Sequence, residues 1–137
     1  MYSKEFESLP QELSLAFNKA RNVAAKVLTE DEFSNWVESG LSLTKKAGGN
    51  CESSVEYFRA SPDLLNKLPF VHLKQWGFWG NSIAEESDVA ATAYIKASRL
   101  VSNYIKPWDI PEWAQLGKKI LTKDIRSNKL ATAYFEN

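Results

Sequence analysis

The segment LKQWGFWGNSI (73–83) contains two tryptophans, a phenylalanine and two glycines. An apolar residue stands three positions before the first tryptophan, a glycine four positions after it, and Leu or Ile seven positions after it. Two other segments follow the same pattern, FSNWVESGLSL (33–43) and IPEWAQLGKKI (110–120). The tryptophans stand 40 and 37 residues apart, at Trp36, Trp76 and Trp113. A pattern that returns at a nearly constant spacing indicates an internal structural repeat.

The repeated positions have the spacing of one helix face. Around the helix axis, positions −3, +4 and +7 each lie within about 60° of the tryptophan, which predicts a buried stripe. Glycine at +4 costs about 1 kcal/mol of helix propensity relative to alanine, so we expect a neighbour to pack closely against it. Gly80 holds this position and Gly77 lies about 100° from Trp76, so Gly80→Leu is expected to be the more destabilising change.

A second helix is expected in each copy. An aromatic pair or near-pair follows each tryptophan in EYFRAS (56–61), AYIKAS (93–98) and AYFEN (133–137), with a small residue one turn earlier. At the boundaries, Thr29 and Glu32 have the spacing of a capping box. Ser61 before Pro62 predicts an N-cap followed by proline at the first helical position.

These patterns predict an all-α fold, a right-handed solenoid-like array of helix–turn–helix repeats of about 37–40 residues, similar to HEAT and TPR superhelices. No stretch alternates with period two for long enough to form a strand. We expect one domain over residues 1–137. Its expected parts are an N-terminal capping helix (1–31), a first repeat (32–69), a second repeat (70–108) and a third repeat, whole or truncated (109–137).

Composition restricts the function classes. Basic and acidic residues each number 17, so no net charge favours a nucleic-acid or anionic-membrane partner. The single cysteine, Cys51, excludes an internal disulfide and suits a reducing compartment. No apolar run reaches the roughly 20 residues of a membrane span, and MYSKEFESLP lacks the apolar core of a signal peptide. We therefore expect a soluble cytoplasmic protein without a membrane partner.

No chemistry-bearing motif is found in the sequence. His72 is the single histidine and Cys51 the single cysteine, and they belong to different repeats, so no metal site is expected. The chain has no glycine-rich phosphate loop and no nucleophile elbow. We predict no catalytic residue, no cofactor and no small-molecule substrate, and hence no enzymatic activity.

Residues that break the repeat pattern are the candidates for partner binding. Phe78 stands where the other copies have Glu38 and Gln115, which favours exposure, and Trp79 lies at the edge of the stripe. Burial between two repeats is the alternative for this pair. Trp108, next to the start of the third copy, is the third aromatic candidate.

A basic run, KKILTKDIRSNK (118–129), adds Lys119, Lys123 and Arg126 to the candidates. It is interpreted as a solvated or protein-binding face. The alternative is a helical-repeat protein that binds nucleic acid through this segment.

The repeats, with Trp36, Gly40, Trp76, Gly80 and the motif EYFRASPDLL (56–65), resemble the tandem helical repeats that precede von Willebrand factor type A domains in bacterial CoxE-like proteins. The resemblance covers roughly residues 9–137. It implies a non-enzymatic protein-interaction module that acts with a MoxR-type AAA+ ATPase in the maturation of other complexes. The chain has no D-x-S-x-S cation motif, so no metal-binding residue is carried over. It is expected to be the N-terminal region of a longer polypeptide, the alternative being a stand-alone relative.

Overall fold

A computed structural model describes residues 11–46, 51–101, 103, 106, 109–121 and 134–136. Within this part of the chain the structure is all-helical, with no strand. The helices are α1 (Gln11–Val27), α2 (Glu30–Lys46), α3 (Glu52–Lys67), α4 (Phe70–Glu86), α5 (Asp88–Val101) and α6 (Ile110–Leu121). Residues 134–136 are also helical. The all-α prediction is confirmed.

The helices pack in two rows. In one row α3 packs against both α1 and α5, and in the other α4 packs against both α2 and α6. The rows are joined by contacts between consecutive helices, α2 with α3 and α4 with α5. Successive helices thus alternate between the rows, and each row places equivalent helices of neighbouring repeats side by side.

The repeated stripe forms the core, as its spacing predicts. Trp36 is 1% exposed and Trp76 is fully buried. The other described stripe residues that are buried are Gly40, Leu43, Leu73, Gly80, Ile83, Ile110 and Gly117. Burying one large aromatic or aliphatic side chain is worth roughly 1.5–3 kcal/mol, so the stripe accounts for much of the driving force for folding.

A hydrogen-bond network joins the two helices of the first repeat. The indole N–H of Trp36 donates to Ser61 Oγ at 2.9 Å, and the Ser61 hydroxyl donates to the carbonyl oxygen of Tyr57 at 2.6 Å. The Tyr57 hydroxyl then donates to the carbonyl oxygen of Trp36 at 2.9 Å. The second repeat has the same three bonds, at 2.9, 2.7 and 3.1 Å, among Trp76, Ser98 and Tyr94.

The predicted N-cap at Ser61 is wrong. Helix α3 continues through Ser61 and Pro62 to Lys67, and Ser61 is fully buried. The local Ser-Pro signal is overridden because Leu64 and Leu65, beyond the proline, belong to the core. By contrast, the capping box at the start of α2 is confirmed.

The two bonds of this capping box are reciprocal. The backbone N–H of Thr29 donates to Glu32 Oε1 at 2.9 Å, and the backbone N–H of Glu32 donates to Thr29 Oγ1 at 3.2 Å. These bonds satisfy donors that a helix start otherwise leaves without an intrahelical partner.

The stripe glycines differ in how tightly they are packed. A Cβ atom at Gly40 would come within 3.0 Å of the ring of Phe58, and one at Gly117 would come equally close to the ring of Phe135. At Gly80, however, the nearest atom would be Tyr94 Cε2 at 3.5 Å, an ordinary contact. The expected collision is therefore confirmed at Gly40 and Gly117, and it is wrong at Gly80.

Gly77 lies about 100° from the stripe and is nevertheless buried, because it lies where α4 packs against α2. A Cβ atom there would lie 3.3 Å from Ser39 Cβ, closer than the nearest neighbour of a Cβ at Gly80. The structure thus leaves less room for a Cβ atom at Gly77 than at Gly80, and the expected order for leucine at these two positions stays a prediction.

Helix α1 joins the row formed by the second helices of the repeats. Its Phe17 ring stacks on Trp36 with centroids 5.9 Å apart and planes 24° apart. Tyr57 stacks on Trp76 in the same way, at 4.7 Å and 8°. The segment SLAFNKA (14–20) accordingly aligns with ATAYIKA (91–97). Helix α1 thus packs against the first repeat, and its role as a cap of the array stays a prediction.

Candidate interaction surface

Phe78 lies on the outer face of α4. It is 62% exposed, in agreement with the sequence prediction, and Val71 two turns earlier is 58% exposed. Residues seven apart lie on the same side of a helix, so these two apolar side chains share one face. The equivalent positions in α2 are the exposed residues Asp31 and Glu38. Helix α4 therefore has an apolar outer face that α2 lacks.

Trp79 connects this face to the core. Its ring is half-buried and packs against the hydrophobic core, while its edge meets Phe78 with centroids 5.4 Å apart and planes at 82°. The sequence prediction placed Trp79 at the stripe's edge, and both burial and partner contact were open. The structure favours packing for most of the indole and leaves Phe78 as the solvent-facing aromatic.

The other predicted binding residues are only partly described. Trp108, Lys123 and Arg126 lie outside the described residues, and Lys119 lies in α6 without a described side chain. From the same basic segment, Lys118 Nζ donates to Ser82 Oγ of α4. At least one cation of the 118–129 segment is thus used to hold α6 against α4.

Two open grooves lie on the row of α1, α3 and α5. They have volumes of about 490 and 350 Å³ and share Glu12 and Arg59 in their walls. Arg59 binds Glu12 and Glu56 at 2.9 and 3.0 Å, so its charge is already compensated. Cys51 borders the larger groove and is half-buried. The charges of Glu12, Glu56 and Arg59 in these walls are thus paired with one another.

Ion pairs also connect neighbouring helices. Lys46 of α2 binds Glu85 of α4, and this hydrogen bond and charge hold the pKa of the Glu85 carboxyl below its ordinary value. Arg99 of α5 binds Asp63 of α3 at 2.9 Å. Exposed pairs of this kind contribute about 0–1 kcal/mol each, so they orient the helices more than they stabilise them.

Burial changes the chemistry of the two inner tyrosines. It raises the pKa of the Tyr57 hydroxyl far above its ordinary 10.0, and a hydrogen bond with Ser39 opposes this effect only in part. Burial likewise raises the pKa of Tyr94 well above 10.0. Both hydroxyls donate to backbone carbonyls, so they act as neutral structural donors.

The described residues contain neither a cluster of metal ligands nor a membrane-spanning helix. His72 is half-buried in α4, and across the described ranges no group of three or more His, Cys, Asp or Glu side chains could hold a metal ion. None of the described helices combines the length and the apolar character needed to cross a bilayer.

Sequence reasoning missed the serines that link the tryptophans to the second helices. Ser61 and Ser98 both stand four residues after the tyrosine, in EYFRAS and AYIKAS. The two segments end in the same Ala-Ser, and this match was a signal that both serines have the same role. A helix cap at Ser61 alone would have been inconsistent with that match. The second missed feature is Leu116, 46% exposed on α6.

Comparison of the chain with protein families, with curated proteins and with solved structures finds no match in any of the three.

Proposed function

We propose that the chain is a non-enzymatic protein-interaction module of the cytoplasm, built as a right-handed solenoid-like array of helical repeats. The alternation of helices between two rows and the repeated Trp–Ser–Tyr network support the array. Such arrays bury the faces between repeats and use the remaining surfaces for partners.

The observation that carries the proposal is the exposure of Phe78. A phenylalanine that is 62% exposed contributes little to the stability of the fold. The equivalent residues of the other repeats, Glu38 and Gln115, are polar. Aromatic side chains that sit at the centre of an interface typically contribute 2 kcal/mol or more to binding. Phe78, with Val71 on the same face, is the binding surface that we propose.

The partner that we propose follows from the resemblance of the repeats to those of CoxE-like proteins. The module would be the N-terminal part of a protein with a von Willebrand factor type A domain. Phe78 would contact that domain or a MoxR-type AAA+ ATPase during complex maturation. Only structural residues of the repeat support this step, namely the Trp and Gly of the stripe and the Tyr-Phe pairs.

Site-specific photocrosslinking tests the proposal. A benzoylphenylalanine at Phe78 should form adducts with a type A domain or an AAA+ ATPase in the native cells. The same probe at Glu38, the equivalent exposed position of α2, is the matched control and should form none. Equal adducts at both positions, or no adduct at Phe78, would contradict the proposal.

Binding to nucleic acid would contradict the proposal in another way. The measurement is the affinity for duplex and single-stranded DNA at several salt concentrations, with Lys119, Lys123 and Arg126 each changed to Gln. Salt-dependent binding that these changes abolish would favour the alternative function of the 118–129 segment.

A further inference from the structure

The contacts between successive repeats follow one rule. A ring of each helix in the row of α1, α3 and α5 packs against the tryptophan of the following repeat. Phe17 and Tyr57 stack on Trp36 and Trp76, and Tyr94 meets Trp113 with centroids 5.1 Å apart and planes tilted by 34°. The first helices meet beside these stacks. Asn81 Nδ2 donates to the carbonyl oxygen of Ser39 at 3.0 Å, and Gly77 lies against the Ser39 side chain.

The last described repeat has the same internal geometry. The Tyr134 hydroxyl donates to the carbonyl oxygen of Trp113 at 3.1 Å, as Tyr57 and Tyr94 do to Trp36 and Trp76. Tyr134 is thus the fourth member of the series. Among the described residues, however, the ring that it meets is that of its neighbour Phe135, and no indole stacks on it. Tyr134 is half-buried, whereas Tyr57 and Tyr94 are buried.

Leu116 extends this uncovered surface onto α6. It stands three residues after Trp113, the position that Ser39 holds after Trp36. Ser39 is the residue against which the next helix of its row packs. Leu116 is 46% exposed, so in the described part of the chain no helix occupies the corresponding place beside α6.

We infer that Leu116 and Tyr134 form a docking surface for an amphipathic helix of a partner protein that carries tryptophan. The indole would stack on Tyr134. A small residue after the tryptophan would face Leu116, as Gly77 faces Ser39, and an Asn or similar donor four residues further would reach the Leu116 carbonyl. This surface is equivalent to the one on the first repeat that α4 contacts through Trp76, Gly77 and Asn81. The partner helix is therefore expected to present the same kinds of side chain as α4. This inference rests on the proposed interaction function and names a second surface for it.

A synthetic peptide with the sequence of residues 69–87 tests the docking surface. It contains α4, and Phe78 is changed to Glu, the residue of α2, so that the peptide does not self-associate through that side chain. NMR titration of the full-length chain should show saturable shifts at Leu116, Trp113 and Tyr134, with a Kd below about 1 mM. A peptide that also carries Trp76→Ala should bind at least about tenfold more weakly.

Variants of the full-length chain provide the matched controls. Leu116→Glu should weaken binding of the peptide at least about tenfold, and Gln115→Glu, an equal charge change at the exposed neighbour, should not. The inference is overturned if no saturable shift occurs up to about 1 mM peptide, or if both peptides bind equally. It is also overturned if the shifts lie elsewhere, or if sedimentation shows that copies of the chain pair through Leu116. Crosslinking at Phe78 is independent of these outcomes, so the two proposals can fail separately.

Discussion

Gly40 lies directly against the ring of Phe58, and a Cβ atom at residue 40 would come within 3.0 Å of that ring. Phe58 cannot yield easily, because it is fully buried and meets the rings of Phe17, Trp36 and Tyr57 at centroid distances of 5.1–5.4 Å. In the second repeat the residue equivalent to Phe58 is Ile95, whose Cδ1 would lie 3.8 Å from a Cβ at Gly80. Tyr57 adds to the crowding at residue 40, since its Cδ1 would lie 2.8 Å from the same Cβ, whereas the equivalent Tyr94 stays at 3.5 Å from a Cβ at Gly80. The need for glycine at residue 40 is therefore set by two neighbouring rings, with Phe58 the closer.

Alanine at the two glycines should have opposite effects. Gly40→Ala should lower the free energy of unfolding by about 1–3 kcal/mol, since the methyl group overpacks the core. Gly80→Ala should raise it by up to about 1 kcal/mol, since the methyl group fits and the helix propensity improves. Urea denaturation followed by circular dichroism measures both changes.

A double mutant tests whether Phe58 is the cause. In the Gly40→Ala background, Phe58→Ile introduces the residue that the second repeat has at this position, so the two changes together should cost less than the sum of the single changes. Strict additivity would show that the ring of Phe58 is not what excludes a side chain at residue 40.

Removal of a linking serine should destabilise the fold. Ser98→Ala takes away the acceptor of the Trp76 indole and a donor to the Tyr94 carbonyl, and a buried group left without a partner costs about 1–3 kcal/mol. Ser53→Ala is the matched control, because Ser53 is also fully buried but its hydroxyl has no hydrogen-bond partner among the described residues. Its unfolding midpoint should stay unchanged or rise. An equal loss in both variants would assign the effect to volume and not to the hydrogen bonds.

The helices could be predicted because their signal is periodic and local. Trp36, Trp76 and Trp113 fixed the register of the stripe, and Thr29 with Glu32 marked a helix start that the structure confirms. These features depend on residues a few positions apart.

The errors concern contacts between distant residues. Ser61 was predicted as a cap because the Trp36 indole that needs it lies 25 residues away in sequence. Gly77 was placed about 100° away from the stripe, and the periodicity of one helix does not show that α2 covers this second side of α4. The exposure of Phe78 could be predicted, because polar residues at the same position of the other repeats indicate that this position faces solvent. The Leu116 surface required the geometry of the contacts between repeats.

Truncation of Phe78 should leave the fold intact. Phe78→Ala removes a side chain that is 62% exposed, so the helical circular-dichroism signal and the thermal midpoint should change little. Trp76→Ala removes a fully buried indole and should cost about 3–5 kcal/mol. Trp108→Ala, outside the described residues, is predicted to behave like Phe78→Ala. If the Phe78 and Trp108 variants unfold as readily as the Trp76 variant, both aromatics belong to the core and the proposed interface has lost its residues.

The buried tyrosines should make the fold sensitive to alkaline pH. In the unfolded chain a tyrosine ionises near its ordinary pKa of 10.0, whereas burial raises the pKa of Tyr57 and Tyr94 above that value in the folded chain. Above pH 10 the unfolded state therefore loses protons that the folded state keeps, so stability that is fully present below pH 10 falls as the pH rises. Each tyrosine should contribute a slope of roughly 1.4 kcal/mol per pH unit.

Urea unfolding between pH 8 and pH 11, compared with Tyr94→Phe, measures this contribution. The variant loses the hydrogen bond to the Trp76 carbonyl and should be less stable at pH 8. Above pH 10, however, its stability should fall less steeply than that of the parent chain, by roughly 1.4 kcal/mol per pH unit, because one of the tyrosines with a raised pKa is gone. The stacking position itself accepts phenylalanine, since Phe17 occupies it against Trp36. If both proteins lose stability at the same rate, Tyr94 ionises in the folded chain and its hydroxyl is not the buried donor that links α5 to α4.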